Sequence, residues 1–309
     1  MALLKKKHRM KQTFGEHVFS AIVYIFCTFM VLITLYPLIY VLSASFSDPD
    51  AVVSGKMLLW PVGFNGGGYD LVFKNTSIWI GYRNTIFYTV VGTLLQLAAT
   101  LPCAYALSRR DLQGRNFVMT MFLVTMYFGG GMIPSYLNLK ELGLLDTPWV
   151  MLVTGLVSTY NMIVARTFFA NTIPWDLSEA SFVDGASNFQ LFCKIILPLS
   201  APIIVVQALY YGVGHWNAYF NAMIWIRNRD LYPLQVFLKE ILTAATVTNQ
   251  FLQEGGYTPE EMAQLEQQAE IANRMKYCVI VVSTVPMMLI YPRLQKYFSK
   301  GMMIGSVKG

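Results

Sequence analysis

The chain has 309 residues, 55% of them hydrophobic and only 13% charged, with a mean hydropathy of +0.46. That balance excludes an ordinary soluble domain and places the chain in the membrane class. A net charge of +6 does not indicate nucleic acid, because the Lys and Arg residues fall in short turns between apolar runs and form no basic stripe interleaved with aromatics.

A helix needs about 20 apolar residues to cross a bilayer core. Six runs reach that length, at about 19–42, 82–107, 116–138, 148–170, 198–223 and 277–296. The expected class is an all-α integral membrane protein with six transmembrane helices. Residues 1–18 form a cytoplasmic N-terminal segment, 19–296 the six-span domain and 297–309 a cytoplasmic tail.

The first run follows Lys5, Lys6, Lys7, His8 and Arg9 and is too long for the apolar core of a signal peptide, so it reads as an uncleaved anchor. An external segment, 43–81, reads as a loop, with Pro49 and Gly66-Gly67-Gly68 as breakers. Arg109, Arg110 and Arg115 crowd the turn after the second run, and Arg293, Lys296, Lys300 and Lys308 follow the sixth. With the N-terminal cluster these lie on one face, so both termini are expected in the cytoplasm.

Pro102 and Pro286 interrupt the backbone hydrogen bonding of their runs and should bend them. In the second external segment, 224–276, Thr258-Pro259-Glu260-Glu261 is a capping box that should start a short acidic helix ending near Arg274. The four cysteines and three histidines are scattered, with no metal-ligand or redox spacing, so neither a metal site nor a catalytic set is expected.

The most informative stretch is a polar loop, 171–198, between the fourth and fifth runs. Pro174 suits a helix start, Asp176 and Glu179 suit the positive end of its dipole, and Gly185 suits its stop. The result is a short helix across the cytoplasmic face, able to act as a ball in a partner's socket. Glu179-Ala180-Ser181, Asp184-Gly185-Ala186 and Ile195-x-Leu197-Pro198-Leu199-Ser200-x-Pro202 together resemble the EAA loop of binding-protein-dependent ABC importer permeases. Ser181 departs from that motif's usual second alanine.

His215-Trp216-Asn217-Ala218-Tyr219-Phe220, Tyr232-Pro233-Leu234-Gln235 and the closing Lys300-Gly301 and Val307-Lys308-Gly309 are similar to the oligosaccharide-uptake branch, which includes the second maltose-transporter permease. Gly129-Gly130-Gly131-Met132-Ile133-Pro134 resembles the subgroup tied to complex glycans and uronate-containing oligosaccharides. The resemblance covers most of residues 80–309 and implies a type I ABC importer permease fold in a bacterial cytoplasmic membrane. It further implies a heterodimer with a second homologous permease, two ATPase subunits and an extracytoplasmic solute-binding protein.

In that family the loop is a coupling helix seated in the ATPase. Carried over, Glu179 would pair with a basic residue of the ATPase, Ala180 and Ser181 would let the helix sit close, and Gly185 would make the turn, with Asp184 also among the residues coupling to the ATPase. The chain has no GxxxxGK[ST] phosphate loop, so ATP and its Mg are expected in the partner ATPase, with no cofactor on this chain.

Sugars are held by aromatic faces and by amide or hydroxyl groups, which makes Tyr160, Asn161, Trp216, Asn217, Tyr219 and Asn221 the path candidates. The three asparagines should face the bundle, since an unsatisfied amide is costly in hydrocarbon. Interhelical hydrogen bonding and an aromatic interface belt are the competing reading of each. Trp216→Ala should then alter uptake more than assembly. The alternatives are a permease for a non-sugar solute, such as a peptide or an anion, and a secondary transporter, for which the runs hold few ionisable groups. A membrane-embedded enzyme would need convergent catalytic groups that the runs lack.

Overall fold

The computed structural model describes residues 13–254 and 258–305. Lys5, Lys6, Lys7, His8, Arg9, Val307, Lys308 and Gly309 lie outside the described residues, as do the side chains of Arg293, Lys296 and Lys300. The regular elements among the described residues are all helical, with no strand. The main helices are α1 (Phe14–Ser45), α2 (Thr76–Ser108), α3 (Arg115–Tyr127), α4 (Met132–Glu141), α5 (Thr159–Thr172), α6 (Trp175–Val183), α7 (Ala201–Trp216), α8 (Leu234–Glu254) and α9 (Pro259–Gly305).

Only α1 and α2 are singly long and apolar enough to cross a membrane, by length and composition among the described residues. α3 with α4, and Asn188–Leu199 with α7, pass that test as bent pairs, at 114° and 82°. The expected runs 116–138, 148–170 and 198–223 are therefore not continuous helices, and each break has a local cause. Gly129, Gly130 and Gly131 separate α3 from α4, with Gly131 at φ +86°. Gly155, at φ +69°, ends Trp149–Val153 before Ser158 caps α5 through the Asn161 N–H. Pro198 and Pro202 each remove a helical donor around the bend at Ser200, whose hydroxyl donates to Ile196 O at 2.7 Å.

Segment 43–81 is more ordered than a loop. It holds helices Pro49–Val53 and Gly67–Lys74, and α2 begins at Thr76, where Asn75 Oδ1 accepts from Ser77 N at 3.0 Å. Gly68 does not break structure: any Cβ there would collide with Arg274 O and Cys278 Sγ of α9, so the bare backbone permits this packing. The Thr258 capping box forms, with Glu261 N–H on Thr258 Oγ1 at 3.3 Å and Thr258 N–H on Glu261 Oε2 at 2.8 Å. The helix it opens does not end near Arg274 but runs on through the sixth apolar run as the 47-residue α9.

α2 is the axis of the bundle and packs against α5, α7 and α8, while α9 packs against α8, α7 and α1. One apolar cluster joins Leu101, Ala104 and Leu107 of α2 to Met162 and Phe169 of α5 and to Leu191, Ile196 and Ile203. α1 stands apart: none of its most apolar window is buried, and it enters the body only at its C-terminal end, where Tyr40 packs on Tyr277 and Ser43, Ala44 and Ser45 are buried.

Asp146 fastens the 142–148 turn to the segment after Trp225. Its Oδ1 accepts the Arg227 and Asn228 N–H groups at 2.8 and 2.7 Å, and its own N–H donates to Trp225 O. The Asn228 and Arg227 amides hold this carboxyl below the usual carboxylate range. A depressed folded value means that the stabilisation is complete above the unfolded value and disappears as pH falls through the folded one. Asp146→Ala is thus expected to lower the melting temperature of solubilised protein at pH 7, and the gap from wild type should close in acid.

Candidate functional site

α6 lies at the end of the bundle where α2 finishes. Pro174 sets an extended N-cap, and Trp175 Nε1 donates to Glu179 Oε1 one turn on, at 2.8 Å. Gly185, at φ +78°, ends the helix, with Gly185 N–H on Phe182 O and Ala186 N–H on Ser181 O. This paired closure satisfies two terminal carbonyls and needs a left-handed residue at position 185. Ser187 then opens the next turn in a capping box with Gln190.

The two faces of α6 differ. Ser178 and Ser181 are buried, and the Ser181 hydroxyl donates to Leu177 O at 2.6 Å. Glu179, Ala180, Asp184 and Gly185 are exposed, and Val183 is 88% exposed. Ala180 is therefore open to an outside partner, whereas Ser181 packs against its own chain.

Arg109, just past the end of α2, holds the inner side of this region. Its guanidinium lies 5.5 Å from the Trp175 ring centroid and 5.4 Å from that of Phe182, both on α6. Nε donates to Asp111 Oδ1 at 2.9 Å, Nη1 to Asn188 Oδ1 at 3.2 Å and to Tyr105 OH at 3.4 Å, and Nη2 to Asp111 Oδ2. The Asp111 carboxyl is held below the usual range, chiefly by Arg109. The Arg109 side chain is 13% exposed, and each cation–π contact at such a site stabilises by about 0.5–2 kcal/mol.

Between α7 and its neighbours α2 and α5 runs a polar seam. Thr100 Oγ1 and Tyr211 OH are 2.7 Å apart, Gln207 Nε2 donates to Asn161 O at 2.9 Å, and Gln96 Oε1 meets His215 Nε2 at 3.0 Å. Gln96 Nε2 donates to Gly155 O at 3.0 Å, which fixes the amide's orientation and requires the His215 proton on Nε2. Such bonds matter in a bilayer because no water replaces a lost partner. Gly92 makes room for this arrangement: a Cβ there would overlap the His215 ring. Gly92→Ala is expected to destabilise the protein by about 1–3 kcal/mol, read by thermal unfolding in detergent.

The path candidates do not all share one cavity within this chain. Trp216 is buried, its Nε1 donating to Ser283 O of α9 at 3.1 Å, and with Asn217, Gln235, Thr284 and Met287 it borders a cavity of about 530 Å³. Asn221 borders a separate cavity of about 190 Å³ with Gln96, Thr154, Tyr211 and His215. Asn161 is buried, whereas Asn217 and Asn221 are exposed within this chain; the Asn217 amide donates to Val213 O at 3.0 Å. Tyr160 and Tyr219 are 55% and 43% exposed.

Sequence reasoning missed Gln96, Gln207 and the seam role of His215. The spacing of Thr89, Thr93, Gln96 and Thr100 on α2, and of Gln207, Tyr211 and His215 on α7, places polar groups on one helical face inside apolar runs and was the available signal. It also missed that Pro286 leaves Val282 O without its helical donor, and that Tyr82 OH of α2 supplies the replacement.

The sequence model described as binding-protein-dependent transport system inner membrane component matches residues 76–304. The polygalacturonan/rhamnogalacturonan transport system permease protein YtcP of Bacillus subtilis (strain 168) is 37% identical over 296 residues, 95% of this chain and 99% of that protein. Protein LplC of the same strain is 36% identical over 304 residues, 98% of this chain and 99% of the relative. A crystal structure of a bacterial ABC transporter involved in the import of the acidic polysaccharide alginate includes a chain that is 32% identical, with a TM-score of 0.82 over 94% of this chain and all of that one. The protein whose fold and site are described above thus belongs to the binding-protein-dependent transport system inner membrane component family, as a permease of ABC transporters.

Proposed function

We propose that this chain is one of two homologous permeases of an ATP-driven importer that carries uronate-containing oligosaccharides across a bacterial cytoplasmic membrane. In this reading six spans put both termini and α6 in the cytoplasm; α1, α2 and the two bent pairs supply up to four of them by length and composition among the described residues. The observation that carries the reading is α6 itself, a closed nine-residue helix whose Glu179, Ala180 and Val183 point away from the chain beside Arg109 and Arg110. Basic residues at that end of the bundle support the cytoplasmic assignment.

In this reading α6 is the coupling helix. Glu179 pairs with a cation on an ATPase subunit, Ala180 allows close approach, and Ser181 instead seats the helix on its own chain. Asp184 and Gly185 make its closing turn. Two ATPase subunits hold ATP and Mg, and their closure moves the permease pair between inward-facing and outward-facing states as rigid bodies. A solute-binding protein delivers the sugar from outside.

The substrate class rests on the names of the relatives, a polygalacturonan/rhamnogalacturonan permease and an alginate importer. Tyr160, Asn217, Tyr219 and Asn221 present side chains beyond the chain's own core and are assigned to the path. Asn161 and Trp216 support it from within the core.

The test is uptake by proteoliposomes holding the native complex with its binding protein. Oligogalacturonides should accumulate only with ATP inside, in preference to neutral glucans and peptides. Equal uptake of peptides, or uptake driven by a proton gradient without ATP, would overturn the assignment.

A further inference from the structure

We infer that Arg109 is a positioning residue that ties α6 to α2, so that displacement of α6 is delivered to the centre of the bundle. The inference rests on the reading of α6 as the coupling helix. By covalent connection alone α6 can pull only on α5, through Ile173 and Pro174, and on α7, through the bent segment 184–200. Its link to α2 is through side chains, and Arg109 makes that link.

The geometry is specific to an arginine. The planar cation covers two rings of α6 while four of its five N–H donors are engaged, two by Asp111, one by Tyr105 and one by Asn188 beyond the Gly185 turn. Tyr105 in turn packs edge-on to Phe169 of α5 and 5.2 Å from the Phe192 ring. The guanidinium thus holds both sides of the Gly185 turn against the last turn of α2. Because α2 packs against α5, α7 and α8, a shift received there reaches three helices together. The bond to Asp111 keeps the guanidinium in place at the end of α2, so the rings of α6 and Asn188 are its moving contacts.

The test uses the complete complex in proteoliposomes and reads ATP hydrolysed per sugar imported. Arg109→Ala should leave the ATPase bound and hydrolysing while uptake falls about tenfold, a coupling loss of ordinary allosteric size. Arg109→Lys should be intermediate, since it keeps the charge beside Asp111 but loses the planar contact. The ring substitutions Phe182→Leu and Phe182→Ile, which leave the Trp175–Glu179 bond intact, should uncouple in the same direction and add little to Arg109→Ala, because each removes the same linkage.

Wild-type stoichiometry in Arg109→Ala would overturn the inference, as would full additivity with the ring substitutions. Loss of the ATPase from the Arg109→Ala complex would also overturn it, since Arg109 would then shape the docking surface. An ATPase that fails to accompany even the wild-type chain would instead remove the coupling-helix reading beneath it.

Discussion

Glu179→Arg is expected to abolish coupled import while the chain remains in the membrane and folded. Glu179 is exposed on the outer face of α6, and among the described residues it accepts only from Trp175 Nε1. Reversing its charge costs the chain little by itself. Opposite the cation proposed for the ATPase cleft, however, the change would leave two like charges desolvated, and breaking a buried pair costs about 3–5 kcal/mol. Uptake should therefore fall by more than about a hundredfold. Glu179→Gln, which can still accept from Trp175, separates loss of charge from loss of helix geometry. Normal uptake by Glu179→Arg would take the coupling role away from this residue.

The second large effect is at Trp216, whose burial adds a structural cost to any effect on uptake. With Nε1 bound to Ser283 O and the ring edge-on to Tyr82, Trp216 joins α7 to α9 beside Pro286. Proline there has already removed the donor for Val282 O, which Tyr82 replaces. Trp216→Ala empties a buried ring and strips the contact, a change of about 3–5 kcal/mol, so assembly should suffer at least as much as uptake. Trp216→Phe keeps most of the volume and loses one hydrogen bond, about 0.5–1.5 kcal/mol. Thermal unfolding of the two solubilised variants beside their uptake kinetics decides the point. An unshifted melting temperature in Trp216→Ala would return the residue to the sugar path.

Local signals carried most of what the sequence made legible. The Pro174 start, the Gly185 stop and the Thr258 cap each depend on residues within one turn, and all three form. Hydropathy located the apolar runs but not their breaks. Gly129, Gly130 and Gly131 divide one run, whereas the similar tract at Gly66, Gly67 and Gly68 leads into a helix because α9 lies against it. The polar stretch before Arg274 read as a separate helix because hydropathy changes there, although nothing in the backbone stops. Arg109 read only as a marker of sidedness: its partners Trp175, Phe182 and Asn188 are more than sixty residues away, and no local pattern encodes that meeting.

The measurement that tests the central claim most directly is mass spectrometry of the proteins that co-purify with this chain, tagged and gently solubilised from its native membrane. The account predicts a second permease, an ATPase and a solute-binding protein, with Glu179→Arg losing the ATPase and keeping the permease. Recovery of the chain alone or as a homo-oligomer, under conditions that keep a control transporter whole, would contradict it.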